Sequence, residues 1–226
     1  MKLNNFNNFV IILAIIGSFL KPAQALNILP CYLDPNEQHK RSQEIHQLYL
    51  ADQKDRENVE DMSDEERAAM RERDLTRRKR LGEIFAEGCI KKASDYYDAA
   101  MIFQHGEVAD HFFQAFYFAS KASLEDYNGA KWLKAAAIDR YLISIGHQQL
   151  FATQFYASQQ TNWYLCLQPV ELSFPGDRRL EATGKSIENM FAMIDELNRS
   201  NGRGCPQDYC QTNLKHTPKG TIPGFW

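Results

Sequence analysis

Several common signatures are missing from this chain of 226 residues, and each absence narrows what it can be. The five cysteines (Cys31, Cys89, Cys166, Cys205 and Cys210) form no C-x-x-C pair, and the histidines show no metal-ligand spacing. No metal site is expected on that ground, and no cofactor is implied. There is no Gly-rich phosphate loop and no nucleophile motif of a familiar hydrolase. Basic residues do not predominate: Lys and Arg number 26 against 29 Asp and Glu, which excludes the electrostatic footprint of a nucleic-acid binder. The long apolar run "FVIILAIIGSFL" (Phe9 to Leu20) falls short of the roughly 20 residues that a membrane span needs.

That run reads instead as the core of a secretory signal at residues 1–25. Lys2 supplies a basic start, and "KPAQA" places Ala23 and Ala25 in the small-residue positions before a cut. A lipoprotein signal at "ILPC" is disfavoured, because Pro30 stands where such signals carry a small residue. Loss of Lys2 and Lys21 takes the net charge from −3 to −5. The expected protein is therefore exported, periplasmic or secreted, with no membrane contact after cleavage. Export to an oxidising compartment makes disulfides plausible chemistry. Cys205 and Cys210 enclose "PQDY" in a Gly- and Pro-containing tail and are the expected bridge; the pairing of Cys31, Cys89 and Cys166 stays open.

The rest is dominated by helical periodicity. Helices are expected over about Glu37–Val59, from Ser63 to about Glu87, over Ala93–Gln104, over Glu107–Ser123, over Ala130–Ile145 and over Ser186–Ser200. Ser63 with Glu66 forms a capping box, Ser186 is an N-cap, and Gly88, Gly106 and Gly146 mark helix ends. Thr161–Leu172 is the one strand-like stretch, interrupted at Pro175-Gly176. The expected fold is all-α, a bundle of about six helices built from helical hairpins, with a small β-hairpin or strand after the fifth. One domain covers 26–200, and 201–226 is a flexible tail. The segment from Ala115 to Leu142 resembles a tetratricopeptide or Sel1-type hairpin, with Ala115, Ala119 and Ala122 permitting close approach, but one unit is not an array.

Charges fall where the apolar stripes call for hydrophobes. The stripe of Ile45, Leu48 and Tyr49 continues into Asp52 and Arg56. That of Met70, Leu81, Ile84 and Phe85 contains Asp74 and Arg77. That of Trp132, Ala136 and Ile143 contains Asp139, with Arg140 on its shoulder. Buried carboxylates should be paired with arginines or with several donors, and Arg56 at i+4 from Asp52 and Arg77 at i+3 from Asp74 are available. Such pairs either fix helix register or line a cleft between helices. Gln104 borders the inner face of the third helix. His105 is either an ordinary helix-end residue or is turned by Gly106 into the cleft, where Asp52 or Asp139 would orient it as a general base.

The segments "LYLADQKDR" (Leu48–Arg56), "FQHG" (Phe103–Gly106), "WLKAAAIDRYLISIGHQQLFATQF" (Trp132–Phe155) and "NWYLCLQPV" (Asn162–Val170) occur in that order. Together they resemble an uncharacterised bacterial family catalogued only as a domain of unknown function, over about Glu44–Asn198. Its pattern is D-Q-x-x-R, Q-H, L-x-D-R, G-x-x-Q-x-x-x-T-Q and W-x-L-x-P-V. The resemblance marks Asp52, Gln53, Arg56, Gln104, His105, Asp139, Arg140, Gln149, Thr153 and Gln154 as ligand-binding candidates. It departs at Phe151-Ala152, where the family carries Tyr-Gly; a glycine needing a positive φ there would make Ala152 signal a different turn. No activity comes with the resemblance. The residues favour a binding module for a small polar or anionic ligand or a peptide, with Arg56 and Arg140 as fork-shaped anion donors. A hydrolase-like enzyme using His105 and an aspartate, and an interaction domain with structural charges, are the alternatives. Oligomeric state is not legible.

Overall fold

The computed structural model describes residues 31–157, 163–203, 213–222 and 225–226. The proposed signal and the Cys205–Cys210 bridge lie outside these residues. Among the described residues there are seven α-helices and a two-stranded antiparallel sheet placed after the fifth helix. No helix among them is long and apolar enough to cross a membrane.

α1 (Pro35–Lys54) opens on Asp34, whose carboxylate accepts from Asn36 and Glu37 N–H. α2 (Asp64–Ala86) opens on the Ser63–Glu66 capping box expected from the sequence. These two helices run antiparallel and meet mainly through charge. Arg41 reaches Glu87, Arg80 reaches Glu44, Arg56 reaches Asp74, and Arg73 and Arg77 reach Asp55. At the closed end of this seam Cys31 and Cys89 form a disulfide. Ile45, Leu81 and Ile84 are fully buried in its middle and pack with Ala99, Ile102, Phe118 and Leu133 in a first core.

α3 (Ala93–Gln104), α4 (Ala109–Leu124) and α5 (Ala130–Ser144) form the rest of the bundle. Ala115, Ala119 and Ala122 are completely buried, so their small size brings α4 close to its neighbours. α5 is buried on nearly every side: Leu133, Ala135, Ala136, Ala137, Ile138, Asp139 and Leu142 are all inside. That corrects the stripe drawn from Trp132, which is 49% exposed. A helix enclosed all round has no single apolar stripe for periodicity to find.

The expected strand over Thr161–Leu172 reduces to β2 (Cys166–Leu167), paired with the unforeseen β1 (Phe155–Tyr156). Trp163 takes a left-handed φ of 57° and breaks the run; Gln149 then bridges Val170 alone. A further helix missed in the sequence, α6 (Gly176–Thr183), follows Pro175 directly and is only eight residues long. α7 (Ile187–Ser200) begins at the Ser186 cap.

Part of the stretch expected as a flexible tail is packed. Lys215 pairs with His147, Thr217 is fully buried, and Trp226 Nε1 donates to Thr217 O at 2.6 Å. Ile222, Phe225 and Trp226 join Phe151, Phe174, Ile138 and Leu142 in a second core. Cys166 is also disulfide-bonded.

Candidate functional site

The inward charges of α1 and α2 converge at the open end of their seam. Asp52 is fully buried. Its Oδ2 lies 2.9 Å from His105 Nδ1 and accepts from Gln53 Nε2 at 2.8 Å. Its Oδ1 faces Arg56 Nη1 at 2.9 Å in an ion pair, but it receives no aligned hydrogen bond, because that nitrogen donates to the Asp52 carbonyl at 2.8 Å. Arg56 Nη2 donates to Asp74 Oδ2 at 2.7 Å, and Arg77 Nη1 to Asp74 Oδ1 at 2.8 Å. Arg77 also pairs with Asp55, which is held by Arg73 through two bonds of 2.9 and 3.0 Å. The expected pairs Asp52–Arg56 and Asp74–Arg77 are therefore present and belong to one network.

His105 reaches this network because the helix stops under it. It is the C-cap of α3, and Gly106 N–H closes a turn onto Phe103 O. Gly106 is needed for room rather than for an unusual φ: a Cβ there would lie 2.3 Å from His111 Cβ. The imidazole is thus turned onto Asp52, with its side chain 20% exposed. Gln104 is buried, its Nε2 lying 3.2 Å from Met101 Sδ.

Two further guanidiniums grip the same turn. Arg78 Nη1 donates to His105 O at 3.3 Å, and Arg140 Nη1 donates to Gln104 O. These carbonyls are the negative end of α3, so part of the attraction is to the helix dipole. Neither arginine makes an ion pair with a carboxylate among the described residues. Arg78 is 5% exposed, and its Nε is buried with no hydrogen-bond partner. Burial lowers the pKa of both arginines, and Arg56 lowers that of Arg140 further. Arg78 was not singled out from the sequence, although it lies four residues beyond Asp74 on the same helical face.

Asp139 is not part of this cluster. Its Oδ1 accepts from Leu150 N at 2.7 Å and Phe151 N at 3.0 Å. Its Oδ2 accepts from Phe151 N at 3.1 Å, Thr153 N at 3.0 Å and Thr153 Oγ1 at 2.8 Å. Complete burial pushes its carboxyl up to about 6, against the opposing pull of the bonds from Phe151, Thr153 and Leu150. Both oxygens are thus spent on shaping the loop after α5, and it is Asp52, not Asp139, that holds His105. Gln149 builds the same loop: Nε2 donates to Gln154 O and Gln168 O, and Oε1 accepts from Gln154 N. Ala152 itself takes a φ of 61°, so the alanine does not change the hand of the turn; it carries the strain a glycine would relieve.

The site residues expected from the sequence therefore divide. Asp52, Gln53, Arg56 and His105 meet Asp74 and Arg77 in one ionic cluster, while Asp139, Gln149, Thr153 and Gln154 form a loop-building set. Arg140 joins them, since its Nε donates to Gln154 Oε1 at 3.2 Å and its Nη1 to Gln104 O. No group of His, Cys, Asp and Glu suited to a metal ion occurs among the described residues.

No family model matches the chain, and no curated protein or solved structure matches it.

Proposed function

We propose that this domain is a helical binding module for a small anion, taken at the turn where α3 ends. The observation that carries this reading is Arg78: a buried guanidinium with an unpartnered Nε and no ion pair to a carboxylate among the described residues, Asp74, Glu107 and Asp52 attracting it only from a distance. Leaving a buried donor unpaired costs about 1–3 kcal/mol, which a ligand acceptor would recover. The charge balance supports it. Arg56, Arg73, Arg77, Arg78 and Arg140 surround Asp52, Asp55 and Asp74, so cations exceed carboxylates around one turn. A carboxylate or phosphate would offset part or all of this excess, and guanidinium forks suit either group.

Calorimetric titration with inorganic phosphate, acetate and citrate tests it. Binding of at least one anion by the unaltered protein, weakened at least tenfold in Arg78→Met and Arg140→Met variants that keep their fold, is the expected result. Equal binding by the variants, or none by the parent protein at millimolar anion, rejects it.

A second reading rests on the 2.9 Å contact of Asp52 with His105. A carboxylate on Nδ1 fixes the imidazole so that Nε2 can act as a general base. Hydrolysis of small ester and phosphoester substrates that His105→Ala abolishes would favour it over simple binding. We further infer that the chain is exported and related to the family it resembles. The Cys31–Cys89 bridge supports an oxidising compartment.

A further inference from the structure

A second cleft, away from the Asp52–His105 cluster, opens between α5, α6 and the packed C-terminal residues and encloses about 460 Å³. That lies within the roughly 300–1,000 Å³ of small-molecule sites. Its floor is aromatic. Phe151 and Phe174 are buried and meet edge to face at 4.9 Å, and Phe225 lies 6.0 Å from Phe151. Its rim is cationic: Lys131, Lys134 and Arg178 line it, with Glu181 as the single acidic lining residue.

None of the three cations makes an ion pair or a side-chain hydrogen bond among the described residues. Glu181 attracts Lys134 across the rim, but not at ion-pair distance. Lys134 is half-buried, with its Nζ 5.4 Å from the centre of the Phe225 ring, and burial lowers the pKa of its ammonium. A partly desolvated ammonium over an aromatic face gains something from the ring, but it retains unsatisfied donors. Surface lysines that serve only solubility extend into water; this one folds its charge back over the cleft.

We propose that this cleft binds a soluble amphiphilic anion, with its apolar body on Phe151, Phe174 and Phe225 and its charged head between Lys134, Lys131 and Arg178. The aromatic floor supplies affinity without direction, and the cationic rim selects the sign of the head group. A bare inorganic anion lacks the body that this floor would desolvate. The site is thus chemically distinct from the α3 turn, where Arg78 and Arg140 donate to helix-end carbonyls and the Phe112 ring, 5.8 Å from Arg140, faces a single guanidinium.

The test is displacement of anilinonaphthalene sulfonate fluorescence from the full chain by decanoate, decyltrimethylammonium and inorganic phosphate. Decanoate should displace the probe, while the cationic tail and phosphate should not. Lys134→Met, which keeps the apolar stem, should weaken decanoate at least tenfold; Arg178→Gln, at an exposed position, should weaken it about threefold. Arg78→Met should leave it unchanged, so failure here and failure at the α3 turn are separable. Equal displacement by both tails overturns the proposal, as does unchanged decanoate affinity in Arg178→Gln and any folded Lys134 variant. Decanoate that binds only when presented in anionic vesicles, and not as monomer, also overturns it.

Discussion

Asp52 and His105 stand 53 residues apart in sequence and 2.9 Å apart in space, and their contact ties the end of α1 to the end of α3. Asp52 is fully buried, while His105 keeps a fifth of its side chain exposed, so the pair is a buried charge with a partly wet partner. The two residues should respond differently to removal. Asp52→Ala leaves Arg56 Nη1 without a carboxylate and should cost about 3–5 kcal/mol. His105→Ala removes one hydrogen bond and should cost about 1 kcal/mol. Urea denaturation of both variants checks this, and equal costs would mean that the carboxylate is held chiefly by its neighbours.

Ala152 is buried and left-handed, which sets two effects against each other. Relief of αL strain by glycine returns about 1–2 kcal/mol. Loss of a buried methyl and added unfolded-chain entropy remove a similar amount. Ala152→Gly should therefore stay within about 1 kcal/mol of the parent in thermal denaturation. Ala152→Val, β-branched at positive φ, should lose more than about 2 kcal/mol.

Glu171 supplies the pH dependence. Burial opposes its ionisation, but hydrogen bonds from Ser173 and from Thr217 N–H, with His216, outweigh it and hold the carboxyl at about 2, below its ordinary 4.5. A folded-state value below the unfolded one stabilises above pH 4.5, and this contribution is lost as pH falls toward 2. The protection of the Thr217 amide, measured against its intrinsic exchange rate, should fall across that window, and Glu171→Gln should be weakly protected throughout. A flat profile in the parent protein would contradict this assignment.

The Cys31–Cys89 bridge closes a loop of 58 residues. Loop-closure entropy at that length is worth about 4 kcal/mol. The Cys31→Ala/Cys89→Ala variant should lose roughly that amount in guanidinium denaturation, and a non-reducing peptide map should recover the two cysteines joined.

What could be read in advance follows the range of each interaction. The Ser63–Glu66 and Ser186 caps are three-residue chemistry, so α2 and α7 begin where the sequence places them. Asp52–Arg56 and Asp74–Arg77 lie one helical turn apart and were equally legible. Burial of Asp139 among arginines or several donors was legible from its stripe, and several donors hold it; which groups they are was not. Its donors are three backbone N–H groups and the Thr153 hydroxyl, 11 to 14 residues downstream in an irregular loop, and no helical spacing encodes them. α6 was missed because eight residues with a buried arginine offer almost no apolar period.

The charged seam between α1 and α2 gives the two ends of the domain different thermal characters. Ion pairs become cheaper to desolvate as temperature rises, whereas the attraction among Phe151, Phe174, Ile222 and Trp226 fades on cooling. Both apolar cores, that of Ile45, Leu81 and Ile84 and the aromatic one, should loosen on cooling, while heat should favour the ion pairs that only the N-terminal seam carries in number.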